Sequence, residues 1–202
     1  MLKELLEAHL YYTFPKVEDK VLNLNEVTKS GNFSLVDPNA CIGCKFVCNQ
    51  EPSEREQLMV TSTKPVNIVN LEQVFSYIKE DVGEVCDYML ESVDSTMLVE
   101  MSCSTTEYVK SKRPKARSQL YNTLEKLFTC PPVRTHIEKN ALRYVIFSWK
   151  ETFPNEMEMD AAEKSMRGMT ILADAVYSPY NESKFEFGFK MKEIRFPYAL
   201  VI

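Results

Sequence analysis

Glycine is scarce, with five in 202 residues. None of the five belongs to a Gly-rich phosphate loop, so nucleotide hydrolysis on such a loop has no footing. No Gly-x-Ser-x-Gly turn supports a Ser-His-Asp hydrolase. No run approaches the roughly 20 apolar residues that span a bilayer. The opening Met1-Leu2-Lys3-Glu4-Leu5-Leu6-Glu7 alternates charge with leucine, where a secretory signal needs an unbroken apolar stretch. The expected compartment is therefore cytoplasmic, with no membrane partner. Positive charge is not in excess either: 24 Lys and Arg stand against 29 Asp and Glu, a net charge of -5. That balance argues against a nucleic-acid binder working through overall charge, but not against one that gathers its cations on one face.

A composition of 45% hydrophobic and 26% charged residues is that of an ordinary globular chain, and 202 residues are expected to make a single domain, 1–202, with a core large enough to need no staple. In such a chain the six cysteines read as reduced thiols. Leu2, Leu5, Leu6, His9 and Leu10 recur at helical spacing and end before Pro15. Residues 23–39 read as short strands and loops, 58–63 as a weak strand, and 70–77 as a helix competing with a strand. Val85–Leu90 and Thr96–Cys103 form the clearest pattern, two strands of a hairpin around Ser92–Ser95. A helix is expected over about Pro114–Phe128, where Ala116, Leu120, Leu124 and Leu127 make one stripe, with Pro114 in its first turn and Cys130-Pro131-Pro132 as its stop. Arg143–Trp149 has the apolar character of a buried strand. Strand, helix and buried strand in that order predict a crossover with the two strands parallel. Beyond it, a helix near Met157–Met166 and strands at Thr170–Val176, Phe185–Phe189 and Ile194–Ile202 are expected.

Four groups of residues bear chemistry. Asp87 and Glu100 interrupt otherwise apolar runs on neighbouring strands of the hairpin; a carboxylate there either faces water or is paired. On one sheet edge the two are suited to a hard cation such as Mg²⁺. Lys110, Lys112, Arg113, Lys115 and Arg117 crowd around Pro114, read as a basic loop leading into the helix. It suits nucleic-acid phosphates, an acidic protein partner, or plain solvation. Cys41, Cys44 and Cys48 have the spacing of metal-ligand thiolates, but no second pair at matching spacing follows, and no zinc is expected. His136 is isolated, and Tyr108, Tyr121 and Tyr144 border the basic region as base-stacking or core aromatics.

Cys86-Asp87-Tyr88-Met89-Leu90, Leu98-Val99-Glu100-Met101-Ser102 and Lys115-Ala116-Arg117-Ser118-Gln119-Leu120 together resemble the core of the PD-(D/E)xK nuclease superfamily over about residues 70–150. The resemblance implies an α/β fold, a mixed β-sheet with flanking helices around a restriction-endonuclease-like core, with N- and C-terminal elaborations. It implies a Mg²⁺-dependent nuclease, with Asp87 and Glu100 as metal ligands and catalytic residues. Ser102 stands where that family carries its lysine, and Cys86 where it carries a proline; Lys115 is the candidate for a migrated lysine. Weak or absent cleavage is therefore expected. The alternative is a non-catalytic binding or structural subunit of a larger assembly, of the kind found in defence systems, built on the same fold.

Overall fold

The computed structural model describes residues 2–14, 24, 26–36, 56–76, 83–104, 106–151 and 182–202. The cysteines 41, 44 and 48 and the segments expected at 157–166 and 170–176 lie outside these, as does the side chain of Tyr108. The elements are α1 (Leu2–Thr13), β1 (Glu26–Val36), β2 (Glu56–Asn70), α2 (Leu71–Ser76), β3 (Tyr88–Glu91), β4 (Ser95–Ser104), α3 (Thr106–Phe128), α4 (Pro131–Glu138), β5 (Leu142–Glu151), β6 (Ser183–Lys184), β7 (Lys190–Arg195) and β8 (Ala199–Val201). The fold is mixed α/β: among the described residues, eight strands form one sheet in the order β1-β2-β3-β4-β5-β7-β6, with β8 against β2. The hairpin β3–β4 is antiparallel. The crossover from β4 through α3 makes β4 and β5 parallel, as expected, and β7 continues the parallel run. Among the described residues no helix is long and apolar enough to cross a membrane.

Residues 23–39 were expected as short strands and loops, yet β1 is eleven residues long. Its partner β2 contains Pro65, which has no N–H for a ladder. The β1–β2 register jumps between Lys29↔Val66 and Gly31↔Ser62, so Thr63, Lys64 and Pro65 fall in a bulge where no donor is needed. Gly31 supplies the positive φ of 79° at that step. The bulge is closed locally: the Lys64 N–H donates to Ser62 Oγ at 3.2 Å, and Ser92 Oγ donates to the Pro65 carbonyl at 3.1 Å.

Four further expectations shift. The segment read as a basic loop is helical, because α3 starts at Thr106, and Pro114 lies inside it. Pro114 and Lys110 are exposed, so the Lys110 carbonyl that loses its partner can be hydrated, which limits the usual cost of an interior proline. After Cys130, the pair Pro131-Pro132 opens α4 in addition to stopping α3, since proline suits a first helical turn. Near Phe185–Phe189 the chain forms a short turn at Glu186–Gly188, with positive φ at Phe187 and Gly188. The strand expected at Ile194–Ile202 is divided: Pro197 separates β7 from β8, which pair with different strands.

Alternation along the strands divides the core. On one face Leu98, Phe147 and Val145 pack with α1, α3 and α4 through Leu6, Leu120 and Val133. On the other, Val99, Met97, Ile146 and Tyr88 pack with Phe33 and Leu58. β2 contacts β5 although they are not sheet neighbours, so the β1–β2 ribbon bends over this second face. β8 crosses to it from β7, and the Ile202 N–H bonds the Thr61 carbonyl at 2.9 Å.

A polar cleft at the carboxyl end of the parallel strands

Asp87 is the residue just before β3, not mid-strand as its apolar surroundings imply. Its neighbours bond to helices instead of to a strand. The Cys86 N–H donates to Thr123 Oγ1 at 2.9 Å, and the Val85 carbonyl accepts from Gln119 Nε2 at 3.2 Å, both from α3. The Leu71 N–H at the start of α2 donates to the Asp87 carbonyl at 2.8 Å, and Asn70 Oδ1 caps that helix by accepting from the Gln73 N–H at 2.8 Å. Two helices therefore clamp the segment that carries the carboxylate, and the Met101 N–H holds Asp87 Oδ2 at 2.6 Å.

The β3–β4 register pairs Tyr88 with Val99 and Met89 with Leu98. Extended by one residue it sets Asp87 opposite Glu100. Directly opposed residues of an antiparallel pair share a face with Cβ atoms about 5 Å apart, and here it is the face that α3 covers. Both are nearly buried, Asp87 4% and Glu100 8% exposed. They lie in a cavity of about 760 Å³ whose polar lining also includes Glu72, Glu84, Ser102, Lys112, Lys115 and Gln119, with Phe75 and Phe147 among its apolar lining. Burial raises the Cys86 thiol pKa well above its ordinary value, against a lowering by the Thr123 hydroxyl; the charges of Glu100 and Asp87 push it further up. The thiol beside the carboxylates is thus protonated and inert.

The five cations separate on α3. Arg113 Nε pairs with Glu193 Oε2 at 2.9 Å, and Arg117 pairs with Glu186 at 3.0 Å while covering the Phe185 ring at 4.6 Å. These two arginines face β7 and the turn before it. Lys112 and Lys115 line the cleft. Lys115 Nζ sits 3.0 Å from Glu84 Oε1, and both side chains are exposed, so the pair is worth at most about 1 kcal/mol and is readily exchanged. Among the described residues Lys110 and Lys112 have no ion-pair partner.

Asp87, Glu100, Lys112 and Lys115 thus share one cleft, and Arg113 and Arg117 do not enter it. Tyr144 lies on the opposite face of the sheet, under Lys192 Nζ at 3.8 Å, and Tyr121 packs near Phe187 at 5.9 Å. His136 bonds Glu91 at 2.5 Å, and Asn140 also reaches Glu91, at 3.3 Å; this cluster fastens α4 to β3. Two cleft residues, Glu72 and Glu84, escape sequence reading: Glu72 reads as an ordinary acidic residue of a helical first turn, and Glu84 lies in a short segment with no periodicity. Gln119 is legible in the resemblance, and its amide holds the Val85 carbonyl in place.

Two opposed carboxylates are a donor set that fits Mg²⁺, which takes one or two carboxylates and completes its shell with waters or phosphate oxygens. Among the described residues no three His, Cys, Asp or Glu side chains converge as a metal-binding group. No family model, curated protein or solved structure matches the chain.

Proposed function

We propose that this chain is a nuclease-like protein that binds nucleic acid over the Asp87–Glu100 cleft, with weak phosphodiester cleavage. The observation that carries the proposal is the opposition of Asp87 and Glu100 on the helix-covered face, in a cleft shared with Lys112 and Lys115. The order β2-β3-β4-α3-β5, with an antiparallel hairpin and a parallel crossover, agrees with a restriction-endonuclease-like core. Mg²⁺, when bound, would supply charge neutralisation on a phosphate and a more acidic water, with Asp87 and Glu100 as its protein ligands. Lys112 offers its ammonium to the phosphate backbone at the mouth of the cleft. Lys115 does the same once it leaves Glu84, the easier event because their pair is exposed.

Ser102, two residues past Glu100 on the same strand face, lacks the charge that would orient and stabilise an attacking water. Loss of one such group commonly costs a factor of about 10²–10³ in rate. The same observation, together with the engagement of Lys115 by Glu84, favours the second reading: a binding subunit that keeps the cleft and not the chemistry. Incubation with plasmid, single-stranded DNA and RNA in Mg²⁺ or Mn²⁺ separates the two. Slow cleavage abolished by Glu100→Ala is the mark of the first, and binding without cleavage is the mark of the second. Absence of both binding and cleavage refutes the nuclease-like proposal.

A further inference from the structure

The sheet register continues the cleft towards its open end. On the helix-covered face, Glu100 stands beside Phe147 and Phe147 beside Glu193. Two residues further along, Ser102 stands beside Trp149 and Trp149 beside Arg195. The second row lies at the carboxyl ends of three parallel strands, the edge where open α/β sheets hold their ligands. Ser102 and Phe147 both line the cleft, so Trp149 is next to its wall. The guanidinium carbon of Arg195 lies 4.9 Å from the Trp149 ring centroid. Trp149 rests against the apolar cluster under α3, and both side chains remain partly exposed.

We infer that the Trp149–Arg195 pair is a base-stacking step for single-stranded nucleic acid, whose backbone runs on from it to the Asp87–Glu100 cleft. The step rests on the nucleic-acid reading proposed above and names its substrate class. Two residues along a strand cover roughly 7 Å, the span of about one extended nucleotide. Arg195 also stands two strands across from Glu100, roughly 10 Å more, so a base on Arg195 leaves about two nucleotides of backbone to reach the Asp87–Glu100 cleft. Guanidinium planes and aromatic rings are the surfaces on which unpaired bases stack; here the two lie against each other, with 4.9 Å between guanidinium carbon and ring centroid. A duplex keeps its bases stacked inside, so it cannot lay a base on Arg195 while sending a phosphate to carboxylates that are 4% and 8% exposed. Lys112 supplies the sequence-independent phosphate contact at the same mouth.

Trp149 is the only tryptophan in the chain, so its fluorescence reads this step directly. The experiment titrates the whole chain with deoxythymidine and uridine homopolymers and with a duplex of equal length, by Trp149 fluorescence and by anisotropy of labelled oligonucleotides. Saturable quenching by a single strand, of either sugar, and none by the duplex is expected; the tighter sugar identifies DNA or RNA. Arg195→Lys keeps the charge and loses the plane, so single-strand affinity falls about tenfold with the salt dependence unchanged. Wild-type affinity in Arg195→Lys, or equal quenching by the duplex, overturns the stacking step. If nucleic acid still binds in a Lys112-dependent way under those results, the proposed function stands without it. No binding of any nucleic acid by the wild type overturns both.

Discussion

The two faces of the sheet are made by the same strands and obey different rules. Val99 and Glu100 are adjacent in β4, and both are nearly buried. Val99 points into a face where the buried polar members, Ser62, Ser95 and Ser148 by strand alternation, are uncharged hydroxyls set among apolar side chains. Glu100 points to a face where Leu98 and Phe147 share the surface with carboxylates, amides and ammoniums. Both faces carry enough apolar area for a core. What distinguishes the second is that charge is kept there at a cost in desolvation, with two helices and a strand arranged to hold one aspartate. Burial that stability does not require is where function is to be sought.

Substitution of the two neighbours should separate these rules most sharply. Val99→Asp buries an unpaired charge on the apolar face and is expected to cost about 4 kcal/mol or more, seen as loss of the cooperative thermal transition. Glu100→Gln, one residue away, is expected to change stability by less than about 1.5 kcal/mol in denaturant titration. Comparable losses in both would erase the distinction between the faces.

His9 gives the next largest effect, from the helix-covered side. It is buried among the α1 residues, with Nδ1 3.0 Å from Thr13 Oγ1 and Nε2 without a hydrogen-bond partner among the described residues. Burial lowers its pKa from 6.5 to about 4. The unfolded chain therefore binds the proton more readily than the folded one. The stability from keeping His9 neutral is fully present above pH 6.5 and is lost as pH falls towards 4, by up to about 3 kcal/mol. His9→Gln should flatten the stability profile between pH 6.5 and 4; an unchanged acid slope would place the sensitivity elsewhere.

The smallest effects compare cations on one helix. Arg117→Ala breaks the pair with Glu186 and the contact with Phe185, and should cost about 1 kcal/mol of stability with little change in nucleic-acid affinity. Lys112→Ala should leave stability within about 0.5 kcal/mol while weakening binding and reducing the salt slope by about one. Reversal of these roles would show that the β7 side of α3, and not the cleft, meets the ligand.

Period carried most of what was legible beforehand. The α1 stripe, the β3–β4 hairpin, the α3 stripe from Ala116 to Leu127 and the buried β5 strand are long or strongly patterned, and each is present. The parallel pairing of β4 and β5 follows from strand, helix and buried strand in that order. What escaped depends on partners distant in sequence. The bulge that absorbs Pro65 exists because β1 pairs with it, and the helical start of α3 at Thr106 overrides a proline that locally marks a boundary. Asp87 and Glu100 were legible as charges in apolar runs. The clamp on Val85, Cys86 and Asp87 by Gln119, Thr123 and Leu71 was not, because those residues are distant in the chain and meet the segment only in the fold. Trp149 reads as a core residue until the register sets it beside Ser102 and Arg195.

The most direct test of the cleft is a crystal of the protein soaked in Mn²⁺ and read by anomalous scattering. The account predicts a peak between the Asp87 and Glu100 carboxylates, absent in Glu100→Gln. No peak there, with both carboxylates bonded only to groups of the protein itself, would contradict it.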